Sequence, residues 1–115
     1  MEELNPLNCL NDQNLFHLFK QQLKKDFEGS GNNGDFADGL LPDFNFLKER
    51  LIKEVQQIQK NNSQFAGLLY RIDISETQLN NYQRVRPDMI FDEVVAELII
   101  KRTLQKIILK KRFSS

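Results

Sequence analysis

The side chains able to act as a base or nucleophile near neutral pH are few: this 115-residue chain has one histidine, His17, and one cysteine, Cys9. Catalysis by a Ser-His-Asp or Cys-His arrangement needs the base within hydrogen-bond reach of the nucleophile. His17 lies inside the stretch Phe16-His17-Leu18-Phe19, and Cys9, eight residues earlier, is not at helical contact spacing from it. Hard oxygen ligands for a cation are offered by Asn32, Asn33, Asp35, Asp38 and Asp43. An EF-hand loop needs oxygen-bearing residues at positions 1, 3 and 5 with Gly at 6. With Gly39 at position 6, Phe36 falls at 3; with Gly34 there, Gly31 and Gly29 fall at 3 and 1. Neither register works. No Lys-Ser/Thr follows those glycines to make a phosphate-binding loop. Glu93 and Glu97 share a helix face, but a di-metal bundle also needs Glu-x-x-His pairs, and Asn14 stands where His17 would need the Glu. The chain therefore reads as non-enzymatic, with no catalytic, metal-ligating or cofactor-binding residues.

Two polar groupings remain as candidates for binding. The first is Tyr70, Arg71, Asp73 and Glu76, where charges interrupt an apolar stretch. Arg71 is expected to pair with Asp73 or with a more distant acid; the plainer reading is that the group caps and orients adjacent short helices. An enzyme would show itself by a deep pocket lined by Arg71, Asp73, Glu76 and Tyr82. The second grouping is the basic end Lys101, Arg102, Lys106, Lys110, Lys111 and Arg112, joined by Arg84 and Arg86. Acidic Asp88, Asp92, Glu93 and Glu97 precede it, so compensation of the helix dipole alone would select the same gradient. Aromatic residues that would stack nucleic-acid bases are missing there apart from Phe113.

The elements that must position these groups all read as helices. Residues 1–11 form an extended lead whose Leu4, Leu7 and Leu10 can pack on the body. From Asn11 or Asp12 a helix runs to about Glu28, with Phe16, Phe19, Leu23 and Phe27 at helical spacing, Lys20, Lys24 and Lys25 in its later part and Gly29 as a stop. The stretch 29–41 is rich in Gly, Asn and Asp and is expected to be a mobile loop. Pro42-Asp43 opens a second helix with Phe44, Leu47, Leu51, Val55 and Ile58 on one seam and Glu49 placed to pair with Lys53. Residues 64–74 fit either alternation or helical spacing. A lone strand would have no partner, so helix is the reading. Ser75-Glu76-Thr77-Gln78 is a capping box for a short helix through Leu79 and Tyr82. Pro87 then starts the last helix, about 88–112.

That last helix carries two apolar stripes, one of Phe91, Val94, Val95, Leu98 and Ile99 and one of Met89, Ile100, Leu104 and Ile107, with Asp92, Lys106 and Lys110 between them. Such a helix is either the centre of its own bundle or shared with a second molecule. Met89, Ile100, Leu104 and Ile107 are therefore the candidate contact surface for a protein partner or a second copy.

The expected architecture is an all-α single domain, a small bundle of about four main helices plus one short one. Net charge is zero, from 16 basic and 16 acidic residues, but residues 1–57 sit at −4 and residues 58–115 at +4. The halves either attract each other within one fold or leave a basic surface for a partner. Zero net charge removes the general attraction to phosphate that most nucleic-acid binders show, so a nucleic-acid-associated factor using the basic C-terminal end is the alternative function. The acidic start Met1-Glu2-Glu3, the lone cysteine and the absence of a long apolar run point to a cytoplasmic protein without a membrane segment.

Overall fold

The computed structural model describes residues 10–113, with side chains as far as Lys110. Of the lead 1–11, residues 1–9 lie outside it, as do the side chains of Lys111 and Arg112, whereas Leu10 is described and buried, 2% exposed. The order is α1 (Gln13–Gly29), a 3-10 turn (Asp35–Gly39), α2 (Phe44–Ile58), α3 (Asn62–Ile72), α4 (Glu76–Val85) and α5 (Phe91–Phe113), with no strand among the described residues. This is the all-α class expected.

Each of the first helices begins where a side chain can satisfy its free N–H groups. The Asp12 carboxylate accepts from the N–H of Asn14 and Leu15 at 2.9 and 3.1 Å. Asp43 and Asn61 do the same for α2 and α3. At α4 the capping box is complete: the Gln78 N–H donates to Ser75 Oγ, and the Ser75 N–H donates back to Gln78 Oε1. A cap of this kind contributes about 1 kcal/mol. Residues 64–74 thus resolve as helix through Ile72, closed by Asp73 in the left-handed region at φ 71°. On α2 the ion pair is Arg50 with Glu54, at 3.2 Å, rather than the expected Glu49 with Lys53.

One core runs through all five helices. Phe16, Phe19, Leu23 and Phe27 of α1 meet Leu47, Leu51, Val55 and Ile58 of α2, Leu68 and Ile72 of α3, and Leu79 of α4. α5 passes through the middle and packs on all four other helices. Every residue from Val94 to Ile100 is buried, so neither of its apolar stripes faces outward over that span.

That burial corrects the expected contact surface. Ile100 and Leu104 are 0% exposed, Ile107 3% and Met89 4%. The second stripe is covered by the chain's own helices, as a helix central to its bundle requires.

Two further expectations change. The 29–41 segment buries Ala37 and Leu40 and sets Phe36 edge-on to Phe27, ring centroids 4.8 Å apart. Asp38 takes a 2.9 Å bond from Lys24, and Gly34 lies so close to the Lys24 carbonyl that a Cβ would come within 2.8 Å of its oxygen. The composition hid three apolar residues that are enough to dock the segment. The last helix starts at Phe91 rather than Asp88. Residues Arg86 to Met89 instead make a turn, with the Met89 N–H donating to the Arg86 carbonyl and Gln83 capping the Met89 carbonyl, which drives Met89 into the core.

Candidate binding cleft between α1, α3 and α5

Where the second half of α1 faces α5, one carboxylate is buried. Asp26 has a side chain only 3% exposed, held by Lys106 Nζ at 3.0 Å on Oδ2 and by the Gln22 amide at 3.0 Å on Oδ1. Arg71 Nε stands 3.6 Å from the same Oδ1. A buried carboxylate is tolerated only with such partners, because its desolvation costs several kcal/mol. The arrangement extends outward. Lys106 Nζ also donates to the Arg71 carbonyl at 2.8 Å, tying α5 to the end of α3, and Lys110 Nζ donates to Gln22 Oε1 at 2.7 Å. The Arg71 guanidinium lies against Gly29, where a Cβ would sit 2.2 Å from its Cζ; only glycine leaves room for it in this position.

These groups line an open cleft of about 890 Å3 between α1, α3 and α5. Its charged lining is Lys25, Arg71, Lys106 and Lys110 against Asp26 and Asp73, four cations to two carboxylates. Tyr70 stands on its rim, 88% exposed. A second groove, about 590 Å3, continues from it along α1 past His17 and Leu18 and shares Gln22, Lys25 and Lys110.

The two groupings read from the sequence are thus partly merged. Arg71 pairs with the distant acid, Asp26, rather than with Asp73. Asp73 instead receives Arg102 at 2.7 Å, and Arg102 also donates to Gln105. Glu76 is exposed on the first turn of α4 and takes no part in the cleft. Of the basic residues, Lys106 and Lys110 belong to the cleft, Arg102 braces its edge, and Lys101 sits 5.1 Å over the Tyr82 ring on another side of α5.

Tyr82 belongs to a separate cluster joining α2, α4 and α5. Its hydroxyl donates to Glu97 Oε1 at 2.5 Å, and Lys48 bridges Glu97 and Glu93 at 3.0 and 2.8 Å. Burial and the bond to Glu97 push the Tyr82 phenol up to about 12. Burial pushes Glu97 upward, but the bonds from Tyr82 and Lys48 outweigh it and hold the carboxyl below its ordinary value. The Lys48 ammonium is raised, chiefly by its bond to Glu93. Glu93 and Glu97, the pair weighed for a metal, are spent on a lysine. Among the described residues no three His, Cys, Asp or Glu side chains converge to hold an ion.

Family models, curated proteins and solved structures give no match to this chain. The site therefore has to be read from its own geometry. Sequence reasoning missed Asp26, Gln22, Lys25 and Gly29. At about 100° per residue Asp26 projects only about 20° from Phe19, on the core face of α1. A carboxylate inside an apolar stripe was the available signal.

Proposed function

We propose that this chain is a small non-enzymatic helical interaction module that engages a protein partner through the cleft between α1, α3 and α5. The observation that carries the reading is Tyr70, an aromatic side chain 88% exposed at the rim of a cleft in which Asp26, Lys106 and Lys110 are already held by internal bonds. Aromatic and arginine side chains are enriched at interfaces because they bring large contact area and directional bonds at small entropic cost. The stripe that would pair two copies is buried, which favours a different protein over a second copy as the partner. The alternative, nucleic-acid association through the basic end of α5, has less support, since the chain's net charge is zero and Arg102 is neutralised by Asp73. No described helix is long and apolar enough to cross a membrane. With the lone cysteine, we place the partner in the cytoplasm.

The test is affinity purification from the native host with the unmodified chain and with Tyr70→Ala, followed by rebinding of each recovered protein to purified chain. A partner retained by the first and lost by the second, at unchanged thermal stability, supports the proposal. Equal recovery by both, or a mass near twice 13.5 kDa for the purified chain at micromolar concentration, contradicts it.

A further inference from the structure

We infer that the cleft between α1, α3 and α5 is a receptor for a carboxylate-rich peptide segment of the partner. The inference rests on the reading of the chain as an interaction module and names the chemistry that the same site would recognise.

The cleft holds more positive charge than its own fold neutralises. Lys106 and Arg71 share the single Asp26 carboxylate. Lys110 is held by a neutral amide. Lys25 makes no ion pair among the described residues. The remaining acid of the lining, Asp73, is taken by Arg102. The positive excess is therefore concentrated on Lys25, Arg71, Lys106 and Lys110 around one depression.

Three of these cations, Lys106, Lys110 and Arg71, are also pre-positioned. An ammonium has three donors. Lys106 uses two on Asp26 and the Arg71 carbonyl, which leaves one, with the side chain 27% exposed. Arg71 is 40% exposed, seated on Gly29, and its two terminal amino groups have no partner among the described residues. Planar guanidinium donors of this kind fit a carboxylate in a two-point bond. A ligand meeting side chains already held in place loses less on ordering them.

The class of ligand follows from shape and charge together. A volume of about 890 Å3 is ample for several side chains, and Tyr70 on the rim offers an apolar face to a neighbour of the acidic residues. A nucleic-acid backbone is held by a row of phosphate contacts. Here the excess is a single cluster on a chain whose net charge is zero.

The probe is a fluorescein-labelled octapeptide, Glu-Glu-Leu-Glu-Asp-Leu-Glu-Glu, followed by fluorescence anisotropy with the full chain. Its controls are the Gln/Asn counterpart and a single-stranded deoxyoligonucleotide of equal charge. Saturable binding is expected, weakening several-fold between about 20 mM and about 200 mM salt. Lys25→Glu should weaken it about tenfold or more. Gly29→Ala, which keeps every charge but displaces the Arg71 guanidinium, should weaken it several-fold with an unchanged helical spectrum; if that variant loses its fold, Arg71→Lys, which keeps the charge but loses the two-point fork, serves the same purpose. Equal binding of the neutral peptide, equal or tighter binding of the oligonucleotide, or indifference to Lys25→Glu would overturn the inference. Failure of the peptide alongside Tyr70-dependent partner recovery overturns only this inference, whereas partner recovery indifferent to Tyr70 overturns the reading beneath it.

Discussion

Replacing Asp26 by Asn removes one negative charge from the cleft floor while keeping the shape of the side chain. The amide oxygen can still accept from Gln22, so that 3.0 Å bond survives in kind. What is lost is the charge-assisted bond to Lys106 at 3.0 Å and the longer approach of Arg71 at 3.6 Å. A hydrogen bond to a charged group contributes about 1.5–3 kcal/mol. The Arg71 contact adds little, because that side chain is 40% exposed and the distance is long. Lys106 is 27% exposed and keeps its bond to the Arg71 carbonyl, so it is not stranded in the way a fully buried cation would be. The expected loss is about 2 kcal/mol. With a urea dependence of about 1–3 kcal/mol per molar, the unfolding midpoint followed by circular dichroism should fall by about 1 M. Asp73→Asn supplies the contrast. Its bond to Arg102 is shorter, 2.7 Å, but the Asp73 side chain is 80% exposed, and the loss should stay within about 0.5 kcal/mol. If Asp73→Asn cost as much as Asp26→Asn, burial would not be what gives the Asp26 cluster its weight, and the reasoning would fail.

Other consequences concern the core and the second polar cluster. Leu104→Ala should cost about 2–5 kcal/mol, and its unfolding midpoint should not move with protein concentration, because Leu104 is covered within one chain; a concentration-dependent midpoint would return that stripe to an intermolecular role. In Tyr70→Phe, whose one remaining phenol is Tyr82, absorbance near 295 nm should titrate with a midpoint of about 12; a midpoint at the ordinary 10.0 would show that the bond to Glu97 is not formed. Because the fold favours the neutral phenol, its contribution to stability is present below pH 10 and disappears as pH rises through about 12. Glu97 runs the other way: its carboxyl is held below 4.5, so its contribution is present above that pH and lost as pH falls through the lower folded value. Glu97→Gln should therefore show a shallower loss of stability on acidification below about pH 4.5 than the parent chain; equal slopes would remove the carboxylate from the account.

The helices were largely legible because their signals are local. Asp12, Asn61 and Ser75 announce helix starts through side-chain oxygens facing free N–H groups, and the seam from Leu47 to Ile58 reads directly as a buried face. What was not legible depended on partners distant in sequence. The two-sided apolar pattern of α5 fits a shared helix as well as a central one, and only the packing of four helices around it decides between them. The 29–41 segment looked too polar to order itself, yet Phe36, Ala37 and Leu40 find surfaces on other elements, Phe36 against Phe27. Pro87 favours a helix start, but the burial available to Met89 favours a turn first. The cleft itself joins Asp26, Arg71 and Lys106; the sequence places Arg71 opposite an acid without naming which and Lys106 in the basic end of the last helix, and does not link either to Asp26. Asp26 itself went unread, although it projects close to Phe19 on the core face of α1.

The claim that the cleft is the contact surface is tested most directly by titrating the acidic octapeptide into nitrogen-15-labelled chain and following backbone amide shifts. Saturable changes should cluster at Lys25, Gly29, Tyr70, Arg71 and Lys106. Changes centred instead on the exposed Val85, Ile90 and Phe91 at the α4–α5 corner, or no saturable change at all, would contradict it.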